Sequence, residues 1–370
     1  MGVKFRISIH GTRGIPANYG GFETFAQELS VRLAARGHSV TVYGRNHYVP
    51  PEVTEFQGVA IRRLPAVRRK YLETVSHTLL SVLDSLRRDD QILLVCNAVN
   101  ACFCWIPRAG GKKVVLNVDG IERKRRKWSA VGRGVYWISE RMAIRFPHVT
   151  VTDAAVIQDY YRRRLGAETR MIAYGAEAAG VESEECLIRL GLRPLEYFLY
   201  VSRLEPENNA HLAIKAYLAS GSNIPLVVVG DAPYSRRYQE KLKRLAGGGD
   251  VRMPGAIYGR GYRELLSHCT AYLQATEVGG THPALLEAMG CGALVFAHDT
   301  PENRETLADS GCLLSFHETE SLAALLRQVE QNRSKWDHLR RLAQDRIKDF
   351  YSWDRIVDQY ERLFEELGGD

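Results

Sequence analysis

Short apolar runs alternate along the whole chain with longer segments of helical periodicity, and this alternation constrains the fold more than any other feature. The runs are FRISI, SVTVYG, QILLVCNA, KKVVLNV and HVTVT, followed by YFLYVSRL, PLVVVGD, AYLQAT and ALVFAHD. Between them, apolar residues recur at helical spacing, as at Phe25, Leu29 and Leu33, which are four positions apart. Strands separated by helices are typical of parallel sheets with helices on both faces. The sequence therefore predicts an α/β protein with two doubly wound parallel sheets.

The alternation is interrupted between Ile172 and Glu196, where small residues, an acidic cluster and a proline precede a new strand. A chain of 370 residues also favours two domains over one. We therefore expect a linker here, with one domain over residues 1–172 and a second over 173–352. The last segment, 353–370, has the pattern of an amphipathic helix, and we expect it to pack back on the first domain.

The charge balance indicates an anionic partner. Lys and Arg number 50 against 43 Asp and Glu, which is an excess of seven positive charges. Nucleic acid, a phosphorylated metabolite and an acidic lipid headgroup would each fit this excess. No nucleic-acid-binding motif is recognisable, so we expect no nucleic-acid partner.

The seven cysteines lie mostly in apolar runs, their number is odd, and no CxxC pair occurs. This pattern favours free thiols in a reducing compartment. The stretch ACFCW could be interpreted as a metal-binding pair, but no second ligand pair accompanies it. No apolar stretch reaches the roughly 18 residues of a membrane span. We therefore expect a cytoplasmic protein with no bound metal.

Glycines cluster in GTRGIPANYGGFETF, at the junction between the first strand and the first helix. A dinucleotide-binding loop requires GxGxxG and an acidic residue about 20 positions later, and the spacing here fits neither requirement. Two interpretations remain open. Gly20 and Gly21 could let backbone N–H groups and the following helix bind an anion or a sugar. Alternatively, the loop is a purely structural turn.

A second glycine pair, in EVGGTHPALLEAMG, precedes another helix. Thr281 is the expected N-cap, Pro283 lies in the first turn and Glu287 lies one turn further. Free N–H groups at a helix N-terminus bind phosphate, and a carboxylate on the next turn can accept hydrogen bonds from a ribose diol. The alternative is a buried helix in which the charged residue caps a neighbour.

Arg203 ends the first strand of the second half, in YVSRLEPENN. A strand-end arginine can hold a diphosphate through several donors. Pairing with Glu205 or Glu207 is the structural alternative.

The stretches VSRLEPENN and EVGGTHPALLEAMGCGALVFA together resemble the donor half of glycosyltransferase family 4, which has the GT-B architecture. The opening HGTRGIPANYGGFETFAQEL and the later NVDGIERKRRKWS are similar to the N-terminal domain of bacterial rhamnosyltransferase-like members. The resemblance implies two facing Rossmann-like domains with a cleft between them. It also implies that a nucleotide-diphospho-sugar is bound mainly by the C-terminal domain.

The resemblance assigns roles to individual residues. Glu287 would hold the nucleotide ribose, the N–H groups around Leu285 and Leu286 the phosphates, and the loop PGAIYGR the base. The donor-binding residues expected in this way are Gly20, Gly21, Arg203, Asn208, Gly255, Ile257, Glu277, Gly279, Gly280, Thr281, His282, Leu285, Leu286 and Glu287.

Two positions depart from the family pattern. Gly279 stands where the first glutamate of the E-x7-E pair is expected, although Glu277 lies nearby. Asn208 stands where a lysine commonly follows the phosphate arginine.

The chemistry of glycosyl transfer requires that the departing diphosphate be stabilised. Arg203 and the helix N-terminus after Gly280 can supply this without a metal, and no DxD motif follows a strand. Asp119, after the run KKVVLNV, is the candidate for positioning the acceptor hydroxyl or the reacting sugar. A helix cap or a loop-bracing aspartate is the alternative for Asp119. Retention of anomeric configuration is implied by the resemblance.

Two basic clusters with aromatic residues, ERKRRKW and RRLPAVRRKY, lie in the first half. Clustered cations favour an anionic lipid surface, and solvated faces are the alternative. The residues expected to face the acceptor or a membrane are Arg123, Lys124, Arg125, Arg126 and Lys127.

These observations predict a glycosyltransferase of cell-surface polysaccharide synthesis, cytoplasmic or peripheral at the inner membrane face. It would move a hexose or deoxyhexose, with rhamnose favoured, from a nucleotide-diphospho-sugar to a glycan acceptor such as a lipid-diphosphate-linked one. No cofactor is expected. The alternatives are a sugar-nucleotide epimerase or hydrolase, and a non-catalytic nucleotide-sugar-binding protein.

Overall fold

A computed structural model describes residues 3–17, 20–69, 72–125, 128–232 and 235–368. Two of the expected surface cations, Arg126 and Lys127, lie outside the described residues, as does the side chain of Lys124. The chain divides into two compact units. The first unit comprises Met1–Lys124, Trp128–Tyr174 and Trp353–Asp370, and the second comprises Arg125–Lys127 and Gly175–Ser352.

The first unit is built on an eight-stranded sheet in the order β3-β4-β2-β1-β5-β6-β7-β8. All neighbouring strands are parallel except β3 and β4. The strands are β1 (Arg6–His10), β2 (Ser39–Arg45), β3 (Glu55–Phe56), β4 (Val59–Leu64), β5 (Ile92–Cys96), β6 (Lys113–Asn117), β7 (Val149–Thr152) and β8 (Arg170–Met171).

Helices connect these strands, as parallel pairing requires. They are α1 (Gly21–Ala35), α2 (Glu73–Ser85), α3 (Trp105–Ala109), α4 (Ala130–Ala143) and α5 (Ala155–Leu165), with 3-10 turns at Ala98–Phe103 and Glu122–Lys124. The central strand β5 is buried along its whole length, which is why its sequence, ILLVC, is apolar without alternation.

The second unit has a six-stranded sheet in the order β11-β10-β9-β12-β13-β14, parallel throughout. Its elements are α6 (Glu185–Arg189), β9 (Phe198–Val201), α7 (Ala210–Ser220), β10 (Leu226–Val229), α8 (Arg236–Ala246), β11 (Val251–Gly255), α9 (Gly259–His268), β12 (Ala271–Gln274), α10 (Pro283–Gly290), β13 (Val295–His298), α11 (Pro301–Leu307), β14 (Cys312–Leu314), α12 (Thr319–Gln331) and α13 (Asp337–Arg346). A 3-10 turn lies at Pro206–Asn208, a second at Ser334–Trp336, and one π turn at Ile347–Tyr351.

The prediction of two parallel α/β sheets is confirmed. The segment expected as a linker, 172–196, contains the short helix α6, whose Cys186 and Leu187 are buried. Among the described residues, no helix is both long enough and apolar enough to span a bilayer.

The last helix, α14 (Trp353–Gly368), belongs to the first unit and packs against α1. Its apolar stripe is buried, with Tyr360 and Phe364 fully enclosed. The Tyr360 hydroxyl accepts a hydrogen bond from Asn117 Nδ2 at 2.9 Å, at the end of β6. Arg36, which ends α1, forms an ion pair with Asp358 at 2.6 Å.

This packing predicts that Phe364→Ala destabilises the first unit by about 3–5 kcal/mol, because a fully buried ring leaves a cavity. Phe350→Ala is the matched control, since that ring is 52% exposed, and we expect a loss below about 1 kcal/mol. Urea-induced unfolding measures both. Equal losses for the two variants would show that α14 is not part of the core.

Candidate functional site

In the second unit, the loops that follow β9, β11 and β12 lie at the same edge of the sheet, because the strands are parallel and run in the order β11-β10-β9-β12. Arg203 follows β9, Gly255 ends β11, and Glu277 follows β12 and precedes α10. Ligands bind at this edge in open parallel sheets. The fold therefore collects most of the expected donor-binding residues at one edge.

The turn that carries Arg203 is held by hydrogen bonds to its own carbonyl oxygen. Asn208 Nδ2 donates to this oxygen at 2.7 Å, the Glu205 N–H at 2.7 Å and the Ser202 hydroxyl at 3.0 Å. Asn208 is buried, and its own carbonyl accepts from the Tyr200 hydroxyl at 2.6 Å. The Asn208 amide nitrogen is thus committed to the backbone, which differs from its expected contact with the donor.

The guanidinium of Arg203 lies beside Glu205, as the structural alternative predicted. The separation between Arg203 Nη1 and Glu205 Oε2 is 4.0 Å, too long for a hydrogen bond. A guanidinium has five N–H donors, and the Arg203 side chain is 36% exposed. Arg203 therefore keeps the capacity to hold a phosphate group.

Helix α10 begins one residue later than expected. The N-cap is His282, whose side chain makes no capping hydrogen bond, and Pro283 is the first helical residue. The prediction that Thr281 caps this helix is therefore wrong, and its side chain is buried.

The first turn of α10 also changes which amides can meet a phosphate. The N–H groups of Leu285 and Leu286 donate to the His282 carbonyl at 3.0 and 3.1 Å. These two amides are engaged within the helix, so their expected role at the phosphates is corrected. By helix geometry, the amides of His282 and Ala284 face outward at this terminus. Leu285 and Leu286 instead contribute fully buried side chains.

Gly279 is in contact with the imidazole of His282. A Cβ atom at position 279 would lie 2.3 Å from His282 Cε1, far inside van der Waals contact. A glutamate therefore cannot occupy position 279 unless the ring moves. The absence of the first acidic residue of the family pair is thus linked to the placement of His282.

His282 is a neutral imidazole at physiological pH. Desolvation lowers its pKa to about 4, and the positive charge of Arg125 adds to this effect. Arg125 belongs to the second unit and is 8% exposed.

Glu287 lies one turn into α10 and is half-buried. Its Oε2 accepts a hydrogen bond from the Tyr262 hydroxyl, on α9, at 2.7 Å. Burial and the Glu287 charge raise the pKa of Tyr262 well above its usual value, so Tyr262 remains a donor. A carboxylate has two oxygens with several acceptor sites, so Glu287 has the capacity to bind a diol as well.

Glu277 is oriented by two side chains. Asn209 Nδ2 donates to Glu277 Oε1 at 2.8 Å, and His317 Nε2 lies 2.9 Å from the same oxygen. The carboxylate is mostly buried, at 17% exposure, whereas His317 is 56% exposed.

Glu277, His298 and His317 are also the one group of three metal-ligating side chains found among the described residues. Their hydrogen bonds fit a network better than a metal site. His298 Nδ1 accepts from the Phe316 N–H at 3.1 Å, so in neutral His298 the proton is on Nε2. If Nε2 of His298 bound a metal, neither ring nitrogen would carry a proton, and the ring would have to be an imidazolate anion instead of a neutral imidazole.

Gly255 is the last residue of β11 and has a φ of +89°. Ile257, half-buried, lies in the loop that leads to α9. Gly280 is buried in the loop before α10. Gly255 and Ile257 lie in the loop expected around the base, and Gly280 precedes the helix terminus expected at the phosphates. Both roles stay predictions.

In the first unit, the glycine-rich loop after β1 is braced by its own helix. The Arg13 N–H donates to Glu23 Oε1 at 3.0 Å and the Ala17 N–H to Gln27 Oε1 at 2.8 Å. Gly11, with φ of +87°, approaches Cys96 so closely that a Cβ would lie 2.4 Å from its carbonyl oxygen. The early glycine of the loop thus has a structural role.

Gly20 is the N-cap of α1 in an extended conformation, and Gly21 is its first residue. No side-chain capping bond is made by Gly20, so this terminus is shaped by backbone alone. Their expected contact with an anion or a sugar stays a prediction.

Asp119 lies two residues beyond β6 and has a φ of +56°. Its N–H donates to Asn117 Oδ1 at 3.1 Å. A non-glycine residue in the left-handed region is uncommon and concentrates at functional sites. Asp119 is half-buried, at the carboxyl edge of the first sheet.

In the basic cluster after Asp119, two of the five expected cations, Arg123 and Arg125, have side chains that the structure describes. Arg123 Nε is 3.1 Å from each oxygen of Glu140, and its Nη2 is 2.6 Å from the Tyr160 hydroxyl. Arg125 is buried. The burial of Arg125 contradicts its expected place at an acceptor or membrane surface. The Arg123 side chain is 35% exposed besides its pairing with Glu140, so its surface role stays a prediction.

Three residues at the site were not predicted from the sequence: Asn209, Tyr262 and His317. Each orients a carboxylate that was predicted. Asn209 is adjacent to Asn208 in a turn after β9, and this double asparagine was the available signal. Tyr262 and His317 reach their partners only through the fold, so no local pattern marks them.

Family models match both halves of the chain. Residues 20–175 match the glycosyl transferase 4-like domain, and residues 193–348 match glycosyl transferases group 1. An uncharacterized glycosyltransferase of Methanocaldococcus jannaschii is 27% identical over 218 residues, 53% of this chain. That match spans about half, 52%, of the relative.

Solved structures of glycosyltransferases share the fold. Sucrose-phosphate synthase from Thermosynechococcus elongatus superposes with a TM-score of 0.85 at 18% identity, over 98% of this chain and 99% of that one. HepE from Anabaena, in complex with UDP-glucose, gives a TM-score of 0.79 at 15% identity, over 98% and 100%. The predicted GT-B fold class, with two parallel-sheet α/β domains, is confirmed.

The lowered pKa of His282 predicts an acid-sensitive fold. In the unfolded chain His282 is protonated below about pH 6.5, whereas in the folded chain it is protonated only below about pH 4. The free energy of unfolding therefore decreases as the pH falls from 6.5 to 4, and the full contribution of His282 is present above pH 6.5. In His282→Gln the free energy of unfolding should decrease less steeply with falling pH, by up to about 1.4 kcal/mol per pH unit. Urea unfolding between pH 4 and 7 checks this, with His338→Gln, an exposed histidine, as control. An unchanged slope for His282→Gln would contradict the prediction.

Proposed function

We propose that this chain, a glycosyltransferase built from a glycosyl transferase 4-like domain and a glycosyl transferases group 1 domain, transfers a hexose or deoxyhexose from a nucleotide-diphospho-sugar to a glycan acceptor. One observation carries the proposal. The Arg203 turn, the N-terminus of α10 and the Glu287 carboxylate all lie at the carboxyl edge of one parallel sheet.

The diphosphate is the group that this edge would hold. The outward amides of His282 and Ala284 provide donors at the positive end of α10, and Arg203 provides a guanidinium. Because the His282 ring is neutral, it would offer the diphosphate a hydrogen bond but no positive charge. A fixed cation with oriented amides suits an anion whose charge rises during the reaction.

The nucleoside would lie between Glu287 and the loop at Gly255 to Ile257. Glu287, held by Tyr262, would accept hydrogen bonds from both ribose hydroxyls. HepE, a neighbour in fold, has been solved with UDP-glucose, which supports a nucleotide-sugar partner for a chain of this fold.

The transferred sugar would contact Glu277. Position 279 is a glycine, and a side chain there would meet the His282 ring unless that ring moved. Glu277 is two residues earlier, is mostly buried and is already oriented by Asn209 and His317. A pre-oriented carboxylate can read sugar hydroxyls with little loss of side-chain entropy. We therefore assign the missing role to Glu277.

In the proposed reaction the bond between C1 of the sugar and the β-phosphate oxygen breaks, and the acceptor oxygen forms a new bond to C1. The hydroxyl proton leaves with the diphosphate or through Asp119. Positive charge develops at C1 while negative charge develops on the diphosphate. Arg203 and the α10 amides would stabilise that negative charge, so no metal is needed for it.

The finer features of the proposal derive from the sequence resemblance. The segments HGTRGIPANYGGFETFAQEL and NVDGIERKRRKWS resemble rhamnosyltransferase-like members, which favours rhamnose as the sugar and a role in cell-surface polysaccharide synthesis. The resemblance to glycosyltransferase family 4 implies retention of configuration at C1. The acceptor would be a glycan on a lipid diphosphate at the inner face of the membrane. A cytoplasmic, peripheral protein fits that substrate.

Two other functions compete with this one. A sugar-nucleotide epimerase or hydrolase would convert the donor with no acceptor present. A non-catalytic sensor would bind the donor and convert nothing. The second-unit site could bind the donor in a transferase, in an epimerase or hydrolase, and in a sensor. These functions are therefore distinguished by their reaction products and not by donor binding.

The deciding experiment is a screen of purified protein against dTDP-, UDP- and GDP-sugars, with and without glycan acceptors and in the presence of EDTA. We expect one donor to raise the melting temperature and to yield a product only with an acceptor. The anomeric proton coupling of that product reports retention or inversion. Failure with every donor contradicts the function, and loss of transfer in EDTA contradicts metal independence.

Asp119→Asn should separate catalysis from binding. Asparagine tolerates the left-handed conformation at this position, so the fold should persist. We expect kcat to fall about a hundredfold while the donor Kd stays unchanged. Glu287→Gln should do the reverse, weakening donor binding by about tenfold. If Asp119 only braces its loop, Asp119→Asn would lower the unfolding free energy and leave kcat intact.

A further inference from the structure

Helix α4 has its apolar side chains on the outside. Val131 is 79% exposed, Trp137 49%, Ile138 47% and Val135 46%. Val131, Val135 and Ile138 are spaced four and three residues apart and form one stripe on the helix surface. In α14, by contrast, the large apolar residues from Trp353 to Phe364 are buried.

The inward face of α4 is mixed, because Ala143 belongs to the hydrophobic core of the first unit while the other buried side chains carry polar groups. It presents Tyr136, Ser139 and Glu140 to the first unit. Glu140 accepts from Arg123 at 3.1 Å and from the Tyr160 hydroxyl of α5 at 2.8 Å. Glu140 is 5% exposed, so turning it away from these partners would be costly, and together with the burial of Ala143 it favours this orientation of α4. The exposed stripe is therefore built into the fold.

The outward face carries positive charge and no acidic side chain. Arg133, Arg141 and Arg145 are all exposed, and Glu140, the sole acidic residue of α4, is buried. The Arg141 guanidinium lies 3.4 Å from the centre of the Trp137 ring. Tryptophan with a nearby cation is typical of the boundary between lipid and water.

The surface continues beyond the C-terminal end of α4. The turn at Ala98–Phe103 packs against α4, and α3 follows it with Trp105 at 52% exposure. Trp105, Arg108, Arg145 and Phe146 line a shallow depression of about 370 Å³. Arg108 Nη1 donates to the carbonyl of Pro147 at 3.1 Å, which holds this rim in place.

We propose that α4 docks on an anionic lipid bilayer. Val131, Val135 and Ile138 would enter the interfacial layer with Trp137, while Arg133, Arg141 and Arg145 would contact headgroup phosphates. An amphipathic helix with aliphatic and aromatic residues flanked by arginines binds in the plane of such an interface. The charge favours anionic lipids over a neutral surface, because each arginine near the surface adds attraction.

This docking surface follows in sequence the one that charge clustering predicted at 123–127. In that cluster Arg125 is buried, and Arg123 is paired with Glu140. The exposed helix that follows offers what that cluster lacks, namely apolar side chains beside cations. The biological use of docking rests on the proposed function, since a lipid-linked acceptor would lie in that bilayer.

The test is flotation of the full chain with vesicles of phosphatidylcholine alone or mixed with phosphatidylglycerol, with no donor or acceptor present. We expect binding to the anionic vesicles that weakens with salt. Val135→Ser combined with Ile138→Ser should lower partitioning about tenfold, because two apolar side chains are lost from the interface. Arg133→Gln with Arg141→Gln should lower binding to anionic vesicles only.

Ile188→Ser is the matched control, because Ile188 is 74% exposed on α6 of the second unit and should not affect flotation. Thermal unfolding of each variant should match the wild type, since the altered side chains are exposed. Quenching of Trp137 by brominated lipid, lost in Trp137→Phe, would place the helix at the interface.

Wild-type protein that fails to float with anionic vesicles would overturn the proposal. So would serine variants that float as well as the wild type. If the same variants instead convert a dimer to a monomer in sedimentation velocity, the face is a contact between copies and not a lipid surface. Because the assay contains no sugar donor, its failure leaves the proposed transfer unaffected, and failure of transfer leaves docking unaffected.

Discussion

The His282 ring packs against Gly279, and the second-unit site is arranged around this contact. Helix α10 begins beside it, with His282 as the N-cap and Pro283 as the first helical residue, which leaves the His282 and Ala284 amides facing outward. A side chain at position 279 would require the ring to move. An acidic group for the sugar must then come from elsewhere, and Glu277 is held in place by Asn209 and His317. The helix terminus and the altered acidic pair thus meet at Gly279 and His282.

Much of this site was predictable, because the relevant patterns are local. Alternating apolar runs and helical segments predicted both sheets, and strand-end position predicted that Arg203 and α10 would share an edge. What failed depends on hydrogen bonds that periodicity does not encode. Thr281 was expected to cap α10, and Leu285 and Leu286 to offer amides, but the His282 carbonyl takes both N–H groups. Asn208 turned out to brace the turn at Arg203.

The basic segment shows why charge runs are weak predictors of surfaces. A run of cations has no periodicity that tells which side chains face solvent, and here Arg123 pairs with Glu140. Glu140 lies on the buried face of α4, opposite apolar residues that are exposed. The sequence could not predict that Val131, Val135 and Ile138 are exposed, because their spacing is that of an ordinary buried helix stripe.

The account depends most directly on where a diphosphate binds. Calorimetric titration of UDP, GDP and dTDP into Arg203→Ala, with Arg193→Ala as a control at an 82% exposed arginine of the same unit, measures this. We expect Arg203→Ala to weaken binding of the preferred nucleotide by about 10- to 100-fold, because a charge-assisted contact is lost, and Arg193→Ala to leave it unchanged. Equal affinity of both variants and the wild type would contradict the assignment of the phosphate site.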